Sequence, residues 1–447
     1  MGREHRRRSR VPVGRAERLA RIGWLAGEIA LGGVTEGLRR VAGGGGEGSS
    51  LFVTRDNATR LARRLSHLRG AAMKLGQMLS MEGDDLMPPE VAEALSILRA
   101  QGDAMPPSQL RRVLGRAYGH GWEARFREFD FEPIAAASIG QVHRAVAADG
   151  RELALKIQYP GVLRSIASDV DNLAVVLRLS RILPGDVDFT DLIAETKRQL
   201  RQEADYQAEA LHLRRYRELL ADEPLLVVPA VHEDLTTPHV LAMDRLVGLP
   251  LEDLTGPDHP QERRDAVGAL LFRLLLRELF EFRFVQTDPN LANYLWLPHE
   301  GRVGLVDLGA ARDISERLSG LYVELSRAAM NRDRRAIAEG AEAMGILARD
   351  EPRERREPVI DFVLLTADPF AGAGLYDFGA SDLPARVREA ATRLAFRHGY
   401  RKPPPPELLF VQRKLGGTFL VCARLRARFD VRAIFEAQLA RRDAAAG

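Results

Sequence analysis

Three polar residues in the second half of the chain have the types and spacing needed for phosphoryl transfer. Asp288 and Asn293 lie five positions apart in QTDPNLAN, and Asp307 follows fourteen positions later, after the apolar run VGLV. Mg²⁺ prefers oxygen ligands, which Asn293 and Asp307 can supply. Asp288 could accept a proton from an attacking hydroxyl group or orient the nucleophile. Such residues are also common in turns, but the combined spacing favours the functional interpretation.

A lysine on a predicted strand offers a matching phosphate ligand. Lys156 ends the alternating run LALK, a pattern whose lysine reaches phosphate oxygens in kinases. Ala154 lies on the same strand face and leaves room for a nucleotide base. Only five of the 65 basic residues are lysines, so a lysine is unexpected where any cation would serve. The alternative, a surface lysine on an edge strand, is disfavoured by the apolar flanks.

The carboxylate partner of Lys156 remains open at this stage. A single long charged helix is predicted over 189–220, and its segment EADYQAE contains Glu203, Asp205 and Glu209. Asp205 and Glu209 are four residues apart and would share a helix face. Spacing alone does not select one of the three.

The segment AAASIGQV before this lysine has the layout of a phosphate-binding loop, with alanines in place of the usual glycines. Glycines let backbone N–H groups turn toward phosphates, whereas each alanine Cβ excludes positive φ and stiffens the loop. We therefore expect a nucleotide loop that holds phosphates in fewer arrangements. The expected nucleotide contacts are Ala135, Ala136, Ala137, Ser138, Ile139, Gly140, Val142, Ala154, Lys156 and Met243.

Composition excludes several other classes of function. The chain has 447 residues, 45% of them hydrophobic and 28% charged, which indicates a soluble globular protein with more than one lobe. The net charge of +3 is too small to argue for a nucleic-acid partner. The single cysteine excludes an intramolecular disulfide framework and a cysteine-based zinc site. The richest apolar stretch, 267–285, is interrupted by charges and is predicted to be a buried core helix.

The N-terminal segment is a candidate membrane contact. Residues 1–22 carry eight arginines and two glutamates, and an amphipathic run containing Trp24 follows. Such a segment could lie on an anionic membrane surface. A transit peptide, or a frayed basic tail with a helix packed on the protein body, is the alternative.

Taken together, these motifs resemble the AarF/UbiB family of atypical kinase-like proteins, especially its ubiquinone-biosynthesis branch. The resemblance runs from about residue 51 to the end of the chain. It rests on motifs that occur in order: KLGQ at 74–77, AAASIGQVH, LALKIQYPGV, EAD at 203–205, QTDPNLANY and DLGAAR. Gln286-Thr287-Asp288 stands where ordinary kinases have His-Arg-Asp, as in the ubiquinone branch, and Leu308 replaces the usual phenylalanine of D-F-G.

The resemblance implies an α+β, protein-kinase-like fold of two lobes with an N-terminal helical extension, and ATP/ADP and Mg²⁺ between the lobes. It assigns Glu209 as the ion-pair partner of Lys156. It places Lys74 and Gln77 on a helix over the cleft, where they meet Glu203 and Asp205. The expected regions are 1–50 (basic segment and glycine-rich linker), 51–107 (helical extension), 108–242 (N-lobe) and 243–447 (mainly helical C-lobe).

The expected function is that of a kinase-like ATPase supporting ubiquinone or related prenylquinone biosynthesis. The alternatives are a small-molecule kinase and a nucleotide-binding scaffold without turnover. Expected partners are ATP, lipid or quinone-precursor molecules, an anionic membrane surface and other quinone-biosynthesis enzymes, with no nucleic acid. The expected location is the cytoplasm of a bacterium, at the membrane periphery and without a transmembrane span.

Overall fold

The computed structural model describes Gly70, Lys74 and residues 104–179, 190–256, 258–288, 290–372, 374–397 and 406–446. Gln77, the basic segment and the linker expected within 1–50, and most of the extension expected within 51–107 lie outside these residues.

The described chain forms two compact units. Unit 1 extends to Ala210 and also includes Ala230–Arg245, whereas unit 2 comprises Leu211–Pro229 and everything from Leu246 onward. The helices, in chain order, are α1 (Pro107–Tyr118), α2 (Val162–Leu179), α3 (Thr190–Glu203), α4 (Tyr206–Leu219), α5 (Gln261–Arg277), α6 (Glu316–Met330), α7 (Arg334–Ala343), α8 (Arg353–Thr366), α9 (Leu383–Arg397), α10 (Pro406–Leu425) and α11 (Val431–Ala446).

Short strands alternate with these helices. They are β1 (Phe126–Ala136), β2 (Gly140–Ala147), β3 (Glu152–Gln158), β4 (Leu226–Val227), β5 (Val240–Asp244), β6 (Leu249–Pro250), β7 (Phe284–Gln286), β8 (Tyr294–Leu297), β9 (Arg302–Leu305), β10 (Ala311–Asp313), β11 (Tyr376–Asp377) and β12 (Arg428–Phe429).

Unit 1 is built on an antiparallel sheet with strand order β1-β2-β3-β5. Strand β3 is buried on both faces after its first residue. Leu153, Leu155 and Ile157 on one face join the apolar core that includes Leu110 and Leu114 of α1. Because side chains alternate across a strand, Ala154, Lys156 and Gln158 point to the opposite face. The core therefore fixes the strand that carries Lys156, the lysine predicted to bind nucleotide.

The predicted helix over 189–220 is wrong, because two helices occupy this range. Helix α3 ends at Glu203 and α4 begins at Tyr206. The Asp205 carboxylate accepts a hydrogen bond from the backbone N–H of Ala208 at 3.0 Å, which caps α4. Asp205 therefore caps the helix on which Glu209 lies, rather than sharing an exposed face with it.

Unit 2 contains a second sheet with strand order β4-β9-β8-β6 and a two-stranded pair of β7 with β10. In the β8–β9 hairpin Tyr294 lies opposite Leu305. In the smaller pair Gln286 lies opposite Ala311. These registers fix both segments that carry the predicted magnesium ligands.

The apolar stretch 267–285 is only partly the core helix predicted for it. Helix α5 ends at Arg277, a π-helical turn follows over Glu278–Phe282, and β7 begins at Phe284. Arg283 between them has a φ of 51°, in the left-handed region, which ends the helical segment. None of the helices in the described part of the chain is long and apolar enough to cross a membrane.

Close packing at α5 leads to a stability prediction. A Cβ on Gly268 would overlap the Cβ of Ala427 and lie 3.2 Å from the ring of Phe429, whereas a Cβ on Gly320 of α6 would meet nothing within 4 Å. We expect Gly268→Ala to lower the free energy of unfolding by about 1–3 kcal/mol through overpacking. The matched change Gly320→Ala should raise it by roughly 0.5–1 kcal/mol. Urea denaturation of both variants measures this, and equal stability of the two would contradict the packing described.

Candidate active site

The Lys156 ammonium in unit 1 is paired with Glu209. Its Nζ donates to both carboxylate oxygens, at 2.8 and 3.0 Å, and the two side chains are 7% and 0% exposed. The ring of Tyr206 at the start of α4 lies 5.6 Å from Nζ. A buried charge requires a partner of opposite sign, and here α4 supplies it one turn after its cap. The structure thus selects among the three carboxylates that spacing left open.

Glu203 has different partners. It pairs with Lys74, whose Nζ lies 2.5 Å from Oε1, and it accepts a hydrogen bond from the Ser138 hydroxyl group. Lys74 is 2% exposed. Gly70, four residues before Lys74, lies so close to the Ser138 carbonyl oxygen that a Cβ would overlap it. One carboxylate therefore ties the alanine-rich loop to the helical residue Lys74.

The alanine-rich loop is the turn between β1 and β2. Ala135 and Ala136 end β1, and the backbone N–H of Ala137 donates to the Gly140 carbonyl at 2.9 Å. A Cβ on Gly140 would overlap the carbonyl oxygen of Ile157, so glycine is required at this position. Backbone bonds thus close the loop at its base, which restricts its movement.

The remaining residues expected to contact a nucleotide lie around this loop and on the sheet. Ile139 is buried, and its carbonyl accepts from Tyr159 N–H at 2.9 Å. Val142 on β2 lies directly opposite Lys156. Ala154 and Met243 are opposite each other on β3 and β5, and both are buried. The structure brings these residues and Lys156 together within unit 1.

Residues 286–293, here called the catalytic loop after the role predicted for Asp288, are held by their own polar groups. The side-chain amide of Asn293 donates to the Asp288 carbonyl oxygen at 3.0 Å. The Gln286 side chain accepts from Asp288 N–H at 3.2 Å and donates to the Asp307 carbonyl at 2.5 Å. Thr287 Oγ1 donates to the Ala310 carbonyl at 2.8 Å. Gln286 and Thr287 therefore connect the catalytic loop to the segment that carries Asp307, a function that sequence analysis did not assign to them.

The segment around Asp307 is fixed from several sides. Val306 N–H donates to the Asn293 carbonyl oxygen at 3.0 Å, and the Asp307 carboxylate accepts from Gly309 N–H at 3.1 Å. His212 Nδ1 of α4 lies 3.0 Å from the carbonyl oxygen of Leu308, which is fully buried. These contacts leave Asp307 at the end of a hairpin strand beside Asn293.

The donor set of unit 2 fits Mg²⁺. With its amide nitrogen bonded to the Asp288 carbonyl, Asn293 directs its oxygen elsewhere, and Asp307 adds a carboxylate. No cluster of three or more His, Cys, Asp or Glu suited to a metal occurs in the described part of the chain. A site with one or two protein oxygens is typical of Mg²⁺ bound with phosphates and water, and atypical of zinc.

One charged neighbour of the catalytic loop was missed by sequence analysis. Arg413 of α10 has Nη2 3.6 Å from Oδ1 of Asp288, and both side chains are largely buried, at 16% and 20% exposed. The guanidinium is therefore within ion-pair distance of the carboxylate that is predicted to orient the nucleophile. Arg413 is one of many arginines, 125 positions from Asp288, and no motif marks it.

The buried pair of unit 1 leads to a binding prediction. Lys156→Met should weaken ATP binding measured by calorimetry in EDTA by about tenfold or more, as expected for losing a hydrogen bond between charged groups. Lys197→Met is the matched control, because Lys197 pairs with Asp171 at 2.5 Å in the same unit and is 21% exposed. Its affinity should stay within about twofold.

Because Lys156→Met leaves Glu209 buried without its cation, the double variant Lys156→Met/Glu209→Gln should be measured as well. Wild-type affinity in the folded double variant would show that the ammonium does not bind nucleotide.

Comparison with known proteins identifies the family. The sequence model of the family described as "ABC1 atypical kinase-like domain" matches residues 97–341 of this chain. The chain is 40% identical to "Atypical kinase COQ8B, mitochondrial" of Rattus norvegicus over 433 residues, covering 96% of this chain and 81% of that protein. It is 34% identical to "Atypical kinase COQ8, mitochondrial" of Saccharomyces cerevisiae, covering 96% and 85%.

A solved structure also resembles this one. Rv3197 from Mycobacterium tuberculosis, determined in complex with erythromycin, aligns with a TM-score of 0.60 at 25% identity, over 86% of this chain and 96% of that one. The α+β kinase-like fold predicted from the sequence is therefore confirmed. With a family match over more than half its length and relatives that align along almost all of it, the chain belongs to the ABC1 atypical kinase-like family.

Proposed function

We propose that this protein is an ATP-binding, kinase-like ATPase that supports the biosynthesis of ubiquinone or a related prenylquinone at a membrane. The main support for the proposal is that the catalytic loop contains Asp288 and Asn293 and is joined to Asp307. Gln286 makes this connection, because its side chain hydrogen-bonds to the backbone of both Asp288 and Asp307. Membership of the same family as the COQ8 proteins supports the pathway. A protein that only bound a partner would not need all of Asp288, Asn293 and Asp307.

Each charged residue has a proposed role. Lys156 binds nucleotide phosphates, and Glu209 holds its ammonium in position through two hydrogen bonds. Asn293 and Asp307 hold Mg²⁺, which when bound neutralises charge on phosphate oxygens. Asp288, which pairs with Arg413, orients the attacking water. The alanine-rich loop, including Ser138, surrounds the phosphates.

The contacts of Glu203 are the basis for proposing that protein substrates are disfavoured. Lys74 and Ser138 both bind this carboxylate, so the loop is held to the helical residue rather than left free to adapt. We propose that this tie, with the cap made by Asp205, restricts the loop to arrangements that favour water or a small molecule over a peptide hydroxyl. A lipid or quinone-precursor-like molecule is the proposed ligand that stimulates turnover.

A small-molecule kinase is a second candidate, because Asp288 can orient a substrate hydroxyl as readily as water. The two functions differ in their product. Transfer of phosphate to a quinone precursor would establish the kinase, whereas release of inorganic phosphate alone would establish the ATPase.

The magnesium assignment leads to a direct prediction. Asp307→Asn should weaken nucleotide binding in Mg²⁺ by about tenfold or more, because it removes an anionic metal ligand, while binding in EDTA changes little. Asp313→Asn is the matched control, since Asp313 lies at the end of β10 and pairs with Arg215 instead. If the nucleotide affinity changes neither with Mg²⁺ nor with Asp307→Asn, the assignment of the metal site is wrong.

Quinone profiling of cells that lack the protein tests the pathway. The wild-type protein should restore quinone synthesis, and the Asp307→Asn variant should fail to do so. Rescue by the variant would favour a nucleotide-binding scaffold that organises other quinone-biosynthesis enzymes without turnover.

Peripheral membrane contact through residues 1–41 is a separate proposal. The motive is the arginine cluster followed by an amphipathic run with Trp24. Binding to vesicles of phosphatidylserine and phosphatidylcholine should fall in roughly 1 M salt, where the Debye length is about 3 Å, and on deletion of 1–41. Vesicles of phosphatidylcholine alone are the control. If the truncated protein binds the vesicles as strongly as the full chain, the membrane contact lies in the globular part of the chain instead.

A further inference from the structure

Lys414 of α10 is buried, yet it has no role in the site described so far. Its Nζ lies 2.7 Å from Oε2 of Glu278, and the two side chains are 2% and 0% exposed. Removing two charges from water is costly, so a buried ion pair is no more stabilising than well-packed apolar residues. The presence of the pair therefore calls for a role other than overall stability.

Two tyrosines complete what we call the Lys414 cluster, which consists of Tyr216, Glu278, Tyr294 and Lys414. Tyr216 donates to Oε1 of Glu278 at 2.8 Å, and the Tyr294 phenol hydrogen-bonds with the Lys414 ammonium. Burial raises the pKa of Glu278 although Lys414 opposes the change. Burial also disfavours the ammonium, but Glu278 and Tyr294 outweigh it and raise the pKa of Lys414. One ammonium thus joins a carboxylate on one side and a phenol on the other.

The cluster touches both ends of the catalytic loop. At the first end, the backbone of Gln286 hydrogen-bonds to the Glu278 carboxylate, and the Tyr216 hydroxyl lies 3.3 Å from the Phe284 carbonyl oxygen. At the other end, Tyr294 directly follows Asn293 and begins β8. Glu278 itself begins the π-helical turn that leads into β7, a geometry that often marks functional sites.

We infer that the Lys414 cluster positions the catalytic loop, so that Lys414 and Tyr294 are positioning residues for Asp288 and Asn293. The inference rests on the proposed ATPase function. The ammonium binds Tyr294 at one end of the loop directly, and it binds Glu278, whose carboxylate contacts the Gln286 backbone at the other end. A shift of either end would therefore disturb one of these contacts. Lysine suits this task because its three N–H donors radiate from one compact atom, whereas the arginine fork is planar and larger.

Tyr294→Phe tests the inference, because it removes one hydroxyl and keeps the ring and the ion pair. We expect kcat for ATP hydrolysis in Mg²⁺ to fall about tenfold with KM for ATP within about twofold, since the loop rather than nucleotide binding is disturbed. Amide hydrogen exchange in residues 286–294 should accelerate, while exchange in α1 stays at the wild-type rate.

Tyr322→Phe is the matched control. Tyr322 of α6 is another buried tyrosine of unit 2, and no hydrogen bond of its hydroxyl occurs among the described contacts. Its kcat and its exchange in 286–294 should match the wild type. Wild-type kcat or wild-type exchange in Tyr294→Phe would overturn the positioning role, as would an equal effect of Tyr322→Phe.

The two proposals fail separately. If the wild-type protein hydrolyses no ATP, the ATPase proposal fails, and hydrogen exchange alone decides the role of the cluster. Faster amide exchange of the catalytic loop in Tyr294→Phe alone would then support the positioning role of the cluster. Unchanged exchange in that variant would overturn the positioning role.

Discussion

The ion pair between Lys156 and Glu209 is the interaction on which the arrangement of unit 1 depends. A lysine on the inner face of β3 is out of water, so a carboxylate must be brought to it, and breaking such a pair costs about 3–5 kcal/mol. Helix α4 must therefore lie against β3 with its first turn at Lys156. The neighbouring residue on the same face enforces the same position, since the Gln158 side chain donates to the Ala204 carbonyl at 2.7 Å. The corner between α3 and α4 is thus fixed by two consecutive side chains of that strand face.

Sequence patterns predicted which motif residues lie together better than they predicted the bounds of the helices. Asp288 and Asn293 lie in one short segment and Asp307 in another, and hydrogen bonds join the two segments. The motifs could predict this because their residues are close in sequence and their loops are short. The helix over 189–220 was predicted as continuous because no glycine or proline interrupts its charged run. The break comes from a tertiary contact, Gln158 with Ala204, and from the cap made by Asp205. Neither contact leaves a periodic signal.

Ion pairs between residues far apart in the sequence could not be predicted, for a related reason. Arg413 beside Asp288 and Lys414 beside Glu278 join residues more than a hundred positions apart, and a helical pattern marks only which face is apolar. The low lysine content did carry information. Lys74, Lys156 and Lys414 are all buried and paired with glutamate, and only Lys197 among the described lysines pairs at a more exposed site.

This use of lysine has a practical consequence for chemical labelling. Reagents that acylate primary amines find few accessible targets in the described part of the chain, because arginine carries most of its surface positive charge and does not react with them. Acylation of Lys156 or Lys414 in the native protein would require the local ion pair to open first. The rate of modification at each lysine would therefore report how often that part of the interior is exposed, and mass spectrometry could follow unit 1 and unit 2 separately in one sample.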